Sequence, residues 1–393
     1  MARSRTQRRR IAVITGTRAE FGIVEAVVRE LSRRRSFDSK LIVTGMHLLP
    51  KFGRTIDHIR RCGWRVDATV RMQSGRDDPA EEAVAVGRGV AGIARALDRL
   101  GCEIVIVLGD RIEALAGACA AAVSRKVLTH IHGGDRATGT VDDALRNAIS
   151  RLAHVHLVAS KDAADRLRRM GEQPWRIHLV GAPGLDGIRR FRLTEQANHR
   201  VSDLRLHAIL GPIAGRPYAV VAQHPLARSA RQESAAMRNI IAAVERCGLA
   251  GAVIYPNSDP GHEGIIRVIR GVERKPNWRV FKSLLREDYL RLVYRSAVLV
   301  GNSSSGIIES ASLGVSAVNV GPRQTGRLRC GPNVLDCGES ASAVERAVRQ
   351  ALNRPRPIPG RSVYGDGRAS ERIAEVLERL IITPALLLKE TAY

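Results

Sequence analysis

Glu103–Ala122, EIVIVLGDRIEALAGACAAA, joins an apolar run to a helical pattern through Gly109, Asp110 and Arg111. Five apolar residues in succession, with no polar alternation, suit a strand covered on both faces of a parallel sheet. The same strand, short polar turn and helix recur on both sides. Ile11–Ile14 leads through Thr15-Gly16-Thr17-Arg18-Ala19-Glu20 into a helix marked by Ile23, Val24, Val27, Val28 and Leu31. Val127–Ile131 ends in His132-Gly133-Gly134-Asp135, and His156–Ala159 and Ile177–Val180 read as further strands. This repetition predicts a doubly wound α/β domain.

A second series begins at Tyr218–Ala222 and the turn Gln223-His224-Pro225. Strands are expected at Gly251–Tyr255, Trp278–Phe281, Val298–Val300 and Ala317–Val320, with helices between them and last helices at Ala341–Leu352 and Ala369–Ile381. At 393 residues the chain exceeds what one core usually supports. The expected organisation is two Rossmann-like domains facing each other across a cleft, over residues 1–185 and 186–370. A C-terminal helix in 371–393 is expected to pack back on the first domain. The polar segment Gly181–Arg205 is read as the hinge, and the first eight or so residues as disordered.

Gly301–Glu309, GNSSSGIIE, is a strand end, a tight turn and a helix start rich in N–H groups and hydroxyls, which suits a phosphate or diphosphate. Neither this loop nor the one at Gly16 matches GxGxxG or GxxxxGK[ST]. A Gly/Ser-rich turn can also be only a tight connection.

Composition excludes several classes. The apolar stretches are too short and too interrupted by charge to span a membrane, and no signal core follows the basic N-terminus. Cys62, Cys102, Cys119, Cys247, Cys330 and Cys337 form no CxxC pair, which fits reduced thiols in a cytoplasmic protein. His130/His132 and His154/His156 lack a third ligand at metal spacing, so no metal is expected. The net charge of +24 would ordinarily suggest nucleic acid, but it is diffuse and nearly all arginine, and aromatics make up only 4%. No specific nucleic-acid partner is expected.

Ligands of open α/β sheets bind beyond the carboxyl ends of the strands. Those ends carry Arg18 and Glu20, Asp110 and Arg111, His132 and Asp135, His224, Asn257 and Asp259, Ser303 to Ser305, and Arg323. Carboxylates, imidazoles, hydroxyls and guanidiniums together suit a polyanionic ligand whose chemistry moves protons. Each has a plainer reading as well. Asp110 could be the N-cap of the helix Ile112–Ala122, Asp142 and Asp143 could be favourable first-turn charges, and Arg146 could form a surface ion pair with Asp142.

GTRAEFG (16–22), VTGMHLLPKFGRT (43–55), LGDRIEAL (108–115), HIHGGD (130–135), GTVDDALRNAISRLAH (139–154), VGAPGLD (180–186), HP (224–225), YPNSDPG (255–261), and GNSSSGIIES with GPRQTGRLR (301–329) occur in this order. Block by block they resemble the hydrolysing UDP-N-acetylglucosamine 2-epimerases of sialic and related nonulosonic acid biosynthesis, over roughly residues 9–385. The resemblance implies a GT-B-like architecture, a UDP-sugar substrate held between domains, a homodimer or homotetramer, and no cofactor.

It also implies roles. Ser303 and Ser304 match the serines that bind the diphosphate, and Glu309 the acid that takes the ribose hydroxyls. Arg18 and Arg323 match arginines near the phosphates, with Glu20, Asp135, Asn257 and Asp259 as further ligand-binding candidates. Asp110, Asp142 and Asp143 match acids near the sugar, Arg111 and Arg146 orient carboxylates or diphosphate, and His224 meets the departing phosphate oxygen. His132 stands where many relatives place a glutamate, and Asn147 and Arg151 where they more often have His and Lys. The implied reaction eliminates the diphosphate to a glycal and adds water to give an N-acetylmannosamine-type sugar. A non-hydrolysing 2-epimerase, a GT-B glycosyltransferase and a nucleotide-binding module without catalysis remain alternatives, and UDP versus GDP stays open.

Overall fold

The computed structural model describes residues 8–76, 78–137, 141–360 and 362–392. The expected disordered N-terminal stretch lies almost wholly outside the described residues, and so does the Gly139–Thr140 start of the GTVDD block. Contacts divide the chain into two compact units. The first runs up to Asp135, resumes over Val141–Asp186 and includes the chain from Gly367 onward, whereas the second holds Gly187–Asp366.

The first unit has seven parallel strands: β1 (Arg9–Thr15), β2 (Phe37–Thr44), β3 (Ala68–Val70), β4 (Ile104–Leu108), β5 (Val127–Ile131), β6 (Val155–Val158) and β7 (Ile177–Leu179). Their order is β3-β2-β1-β4-β5-β6-β7, doubly wound, with the direction of winding reversing between β1 and β4. Successive side chains of β1 and β4 enter opposite cores. Ile11, Val13, Ile104 and Ile106 join one cluster, and Ala12, Ile14, Val105 and Val107 the other. This two-sided burial is why β4 shows no polar alternation. Ile373, Ala374 and Leu377, from the helix Ala369–Arg379, are buried in the first of these clusters.

The second unit repeats the plan with β8 (Tyr218–Ala222), β9 (Ala250–Ile254), β10 (Trp278–Phe281), β11 (Val298–Gly301), β12 (Ala317–Val320) and β13 (Val334–Cys337) in the order β10-β9-β8-β11-β12-β13. Its switch point lies between β8 and β11. Gly301 is needed there because its φ is +130° and a Cβ would come within 2.3 Å of the Ala222 carbonyl oxygen.

Two expectations are corrected. Most of the Gly181–Arg205 hinge is helical, over Gly184–Ala197 and His199–Leu210. The edge strand β13 was not anticipated. Among the described residues, no helix is long and apolar enough to cross a membrane.

Candidate active site

In the first unit, the loops after β1 and β4 flank the switch point. Thr17 caps the helix Arg18–Arg33: its hydroxyl accepts from the Glu20 N–H, and Glu20 Oε2 accepts from the Gly16 and Thr17 N–H groups at 2.8 and 3.3 Å. Glu20, expected to bind ligand, is therefore a buried loop-holding group. Burial above all, then the nearby Glu113 carboxylate, push its pKa up to about 8, against the pull of the Gly16 N–H. Glu113 is itself fully buried and takes Arg111 Nε at 3.2 Å. It fills the space a side chain at Gly16 would need, since a Cβ there would lie 2.4 Å from Glu113 Cγ. Arg18 begins the capped helix and is half-buried.

Asp110 is not a helix cap. That position belongs to Arg111, which makes no capping bond through its side chain. Asp110 instead forms an ion pair with Arg146. Arg146 is also no surface residue: it is fully buried, reaches Asp143 at 3.5 Å and donates to the Asp135 carbonyl at 3.0 Å. The helix Asp142–Leu152 brings these groups together, because Asp143 and Arg146 lie one turn apart near its start. Asp142 opens that helix and Asn147 lies within it.

The turn after β5 places His132 Nδ1 2.9 Å from Asp135 Oδ2, with both side chains almost wholly buried. His132 has a φ of +64°, unusual for a residue other than glycine. Under it lies His130, whose Nε2 meets the Gly109 carbonyl at 2.7 Å and whose Nδ1 meets Ser150 Oγ at 3.1 Å. Burial lowers the His130 pKa to about 3, so it is neutral and ties β5 to the residue preceding Asp110. His47, from the VTGMHLLPKFGRT block, plays a similar part: its ring bridges Thr15 and Thr55, and burial lowers its pKa to about 3.

In the second unit, His224 is held from two sides. Asn302 Oδ1 accepts from its backbone N–H at 2.7 Å, and Asn302 Nδ2 donates to its carbonyl at 2.8 Å. The Asn257 N–H donates to His224 Nδ1 at 3.1 Å, so the neutral ring carries its proton on Nε2. Asn257 thus meets His224 through its backbone, while its side chain bonds to Asp259. Ser303 caps the short helix Ser304–Ile308, its Oγ accepting from the Ser305 N–H and lying 3.0 Å from Ser305 Oγ. Ser304 is the first residue of that helix. Arg323 reaches the Asn302 carbonyl at 3.4 Å, and Gln324 reaches it at 2.9 Å. Glu309 is gripped by Arg286 through both oxygens, at 2.6 and 3.0 Å, and Tyr289 bonds Ser305. Nothing in sequence spacing pointed to Arg286 or Tyr289, which lie some twenty residues from their partners.

Two doubly wound parallel sheets, each with polar side chains at its switch point, are the α/β architecture of the GT-B-like class. The chain belongs to the UDP-N-acetylglucosamine 2-epimerase family, whose model matches residues 29–378. It is 34% identical over 387 residues to the UDP-N,N'-diacetylbacillosamine 2-epimerase (hydrolyzing) of Legionella pneumophila, covering 98% of this chain and 100% of that one. It is 32% identical over 371 residues to the UDP-N-acetylglucosamine 2-epimerase of Neisseria meningitidis, covering 94% and 95%. The Methanocaldococcus jannaschii UDP-GlcNAc 2-epimerase, solved in complex with UDP-GlcNAc and UDP, shares the fold with a TM-score of 0.79 at 16% identity, covering 94% and 99%.

Proposed function

We propose that this chain is a hydrolysing 2-epimerase that converts UDP-N-acetylglucosamine, or a related NDP-2-acetamido sugar, and water to UDP and a free N-acetylmannosamine-type sugar. The observation that carries this reading is Arg146, a buried guanidinium that gathers Asp110 and Asp143. Inverting a carbon requires a proton taken from one side and returned on the other, and so more than one acid/base group. The full-length likeness to a relative named as hydrolysing supports the choice of branch.

A base among Asp110, His132, Asp142 and Asp143 removes the C2 proton as the C1–O bond to the diphosphate breaks, leaving a glycal with a C1=C2 double bond. Water adds its hydroxyl to C1, and a proton returns to C2 from the opposite side. Arg111 and Arg146 hold the carboxylates. The His224 Nε2–H donates to the departing phosphate oxygen, while Ser303, Ser304, Arg18 and Arg323 take the diphosphate. Glu309 takes the ribose hydroxyls: Arg286 uses one lone pair on each oxygen, and each oxygen retains another.

Turnover in heavy-oxygen, deuterated water tests the reading. The expected product is free sugar carrying the oxygen label at C1 and deuterium at C2, from UDP or GDP donors assayed in parallel. A product still linked to its nucleotide would establish the non-hydrolysing reaction instead. Transfer without deuterium at C2 would indicate a glycosyltransferase.

A further inference from the structure

The turn His132–Asp135 is fixed more firmly than a connection requires. The His132 N–H donates to the Leu157 carbonyl, Arg166 Nε to the Gly134 carbonyl, and Arg146 Nη1 to the Asp135 carbonyl. Gly134 has a φ of +76° and packs so closely on the helix Lys161–Arg169 that a Cβ would lie 2.3 Å from the Ala163 carbonyl oxygen. Together these contacts hold His132 in the left-handed region, a conformation that persists only where its surroundings impose it. One product of that geometry is the 2.9 Å contact between His132 Nδ1 and Asp135 Oδ2, with 5% and 2% of the two side chains exposed.

We propose that Asp135 is a positioning residue for proton transfer: it holds the His132 proton on Nδ1, leaving the Nε2 lone pair as the base. The inference rests on the epimerase reading above and assigns Asp135 a part in it other than binding substrate. An ionised carboxylate can only accept a hydrogen bond, so Nδ1 must be the donor in this contact. A neutral imidazole protonated at Nδ1 has its lone pair on Nε2. When Nε2 takes the C2 proton the ring becomes cationic, and the Asp135 carboxylate stabilises that charge; the ring later releases this proton to solvent, while a different acid delivers the new C2 proton from the opposite face. The electron pair of the broken C2–H bond forms the C1=C2 double bond, and the pair of the C1–O bond leaves with the diphosphate. His132 and Asp135 together thus replace a single carboxylate base. Asp110, Arg146, Arg166 and His130 are charged and titratable neighbours that the same network brings to this turn.

The experiment combines nitrogen-15 NMR of the full-length chain with steady-state kinetics. Long-range proton–nitrogen spectra, with the His132 signals identified by their loss in His132→Gln, should show a protonated Nδ1 and an unprotonated Nε2. Asp135→Asn, whose amide can donate to Nδ1, should move the proton to Nε2. In kinetics, Asp135→Asn should lower kcat at least tenfold, about 1.4 kcal/mol, with KM changed less than about twofold, and Asp135→Glu should recover part of the loss. Adding Asp135→Asn to His132→Gln should cost no more than His132→Gln alone, because the two residues act as one unit. A wild-type ring protonated on Nε2, a rise in KM with kcat preserved, or losses that simply add would each overturn the proposal. Should the wild-type chain turn over none of the nucleotide sugars, the epimerase reading fails by itself, and the NMR result still decides whether Asp135 sets the tautomer.

Discussion

Glu20 shows how far a residue's identity can mislead about its work. From its place beyond β1 it reads as a ligand contact, yet it closes a capping box in a pocket shared with the fully buried Glu113. Its raised pKa has a consequence for stability. The folded state keeps this proton until about pH 8, whereas the unfolded chain loses it near 4.5. Stability from this group is therefore complete below about pH 4.5 and declines at up to ~1.4 kcal/mol per pH unit until the folded state ionises as well. Denaturant titrations of Glu20→Gln should lack this component, so the variant should gain on the wild type between pH 5 and 8. A constant difference over that range would refute the buried protonated acid. A second prediction concerns the diphosphate turn: Ser303→Ala and Ser304→Ala should each weaken UDP binding by about 1 kcal/mol by calorimetry. Unchanged affinity would remove both serines from the site. At this scale, motif position made His132, Asp110 and His224 legible as candidates. The contacts that hold His224 were not, because Asn302 and Asn257 lie 78 and 33 positions away, and neither was Arg286, which grips Glu309 from 23 positions away.

Elements were legible wherever burial imposed a pattern. β4 and β8 are buried at every position, and an unbroken apolar run admits little else. β13 is only four residues long, lies at a sheet edge and is mostly partly exposed, so its pattern VLDC gives no clear signal. The helices Gly184–Ala197 and His199–Leu210 escaped for a related reason: clusters of arginine and polar residues blur their apolar stripe, and Gly184 and Gly187 suggest a loop. The helix Asp142–Leu152 shows what an element adds that motif matching lacks, because its first turn draws the two acids onto one buried cation. Arg146→Met should therefore abolish turnover and also cost about 3 kcal/mol of stability, since it leaves Asp110 and Asp143 without their shared partner. The lower end of the usual range applies because each acid keeps 19% of its side chain exposed. Arg146→Lys should keep more stability than activity, as an ammonium supplies the charge without the planar fork. A stable, active methionine variant would show that the acids need no cation.

For the molecule as a whole, part of the +24 charge sits on guanidiniums with structural work. Arg146, Arg176 and Arg291 are buried, and each is bound to carbonyls or carboxylates of its own unit. Arg176 is the extreme case, donating to the carbonyls of His154, Ala385, Leu386 and Leu388 at 2.8–3.2 Å. Lys389 adds a second tie: its ammonium meets Glu172 at 2.7 Å and the carbonyls of Ser150 and Arg151 at 2.9 and 2.8 Å, while His156 meets the same glutamate at 2.9 Å. Deleting the chain from Pro384 onward would take three of four backbone carbonyls from the buried Arg176 guanidinium, leaving it His154 and Gln173 Oε1, and would take the ammonium from Glu172, leaving it Arg151 and His156. Losing hydrogen bonds to charged, buried groups in this way costs about 1–3 kcal/mol each. All of these partners belong to the first unit, so the loss should be local. Hydrogen exchange should accelerate at the amides of β6 and β7 and leave those of β8 and β11 protected, with UDP affinity retained. Equal loss of protection in both sheets would instead mean that the chain unfolds as one cooperative body, in which the C-terminal segment stabilises the second unit as much as the first.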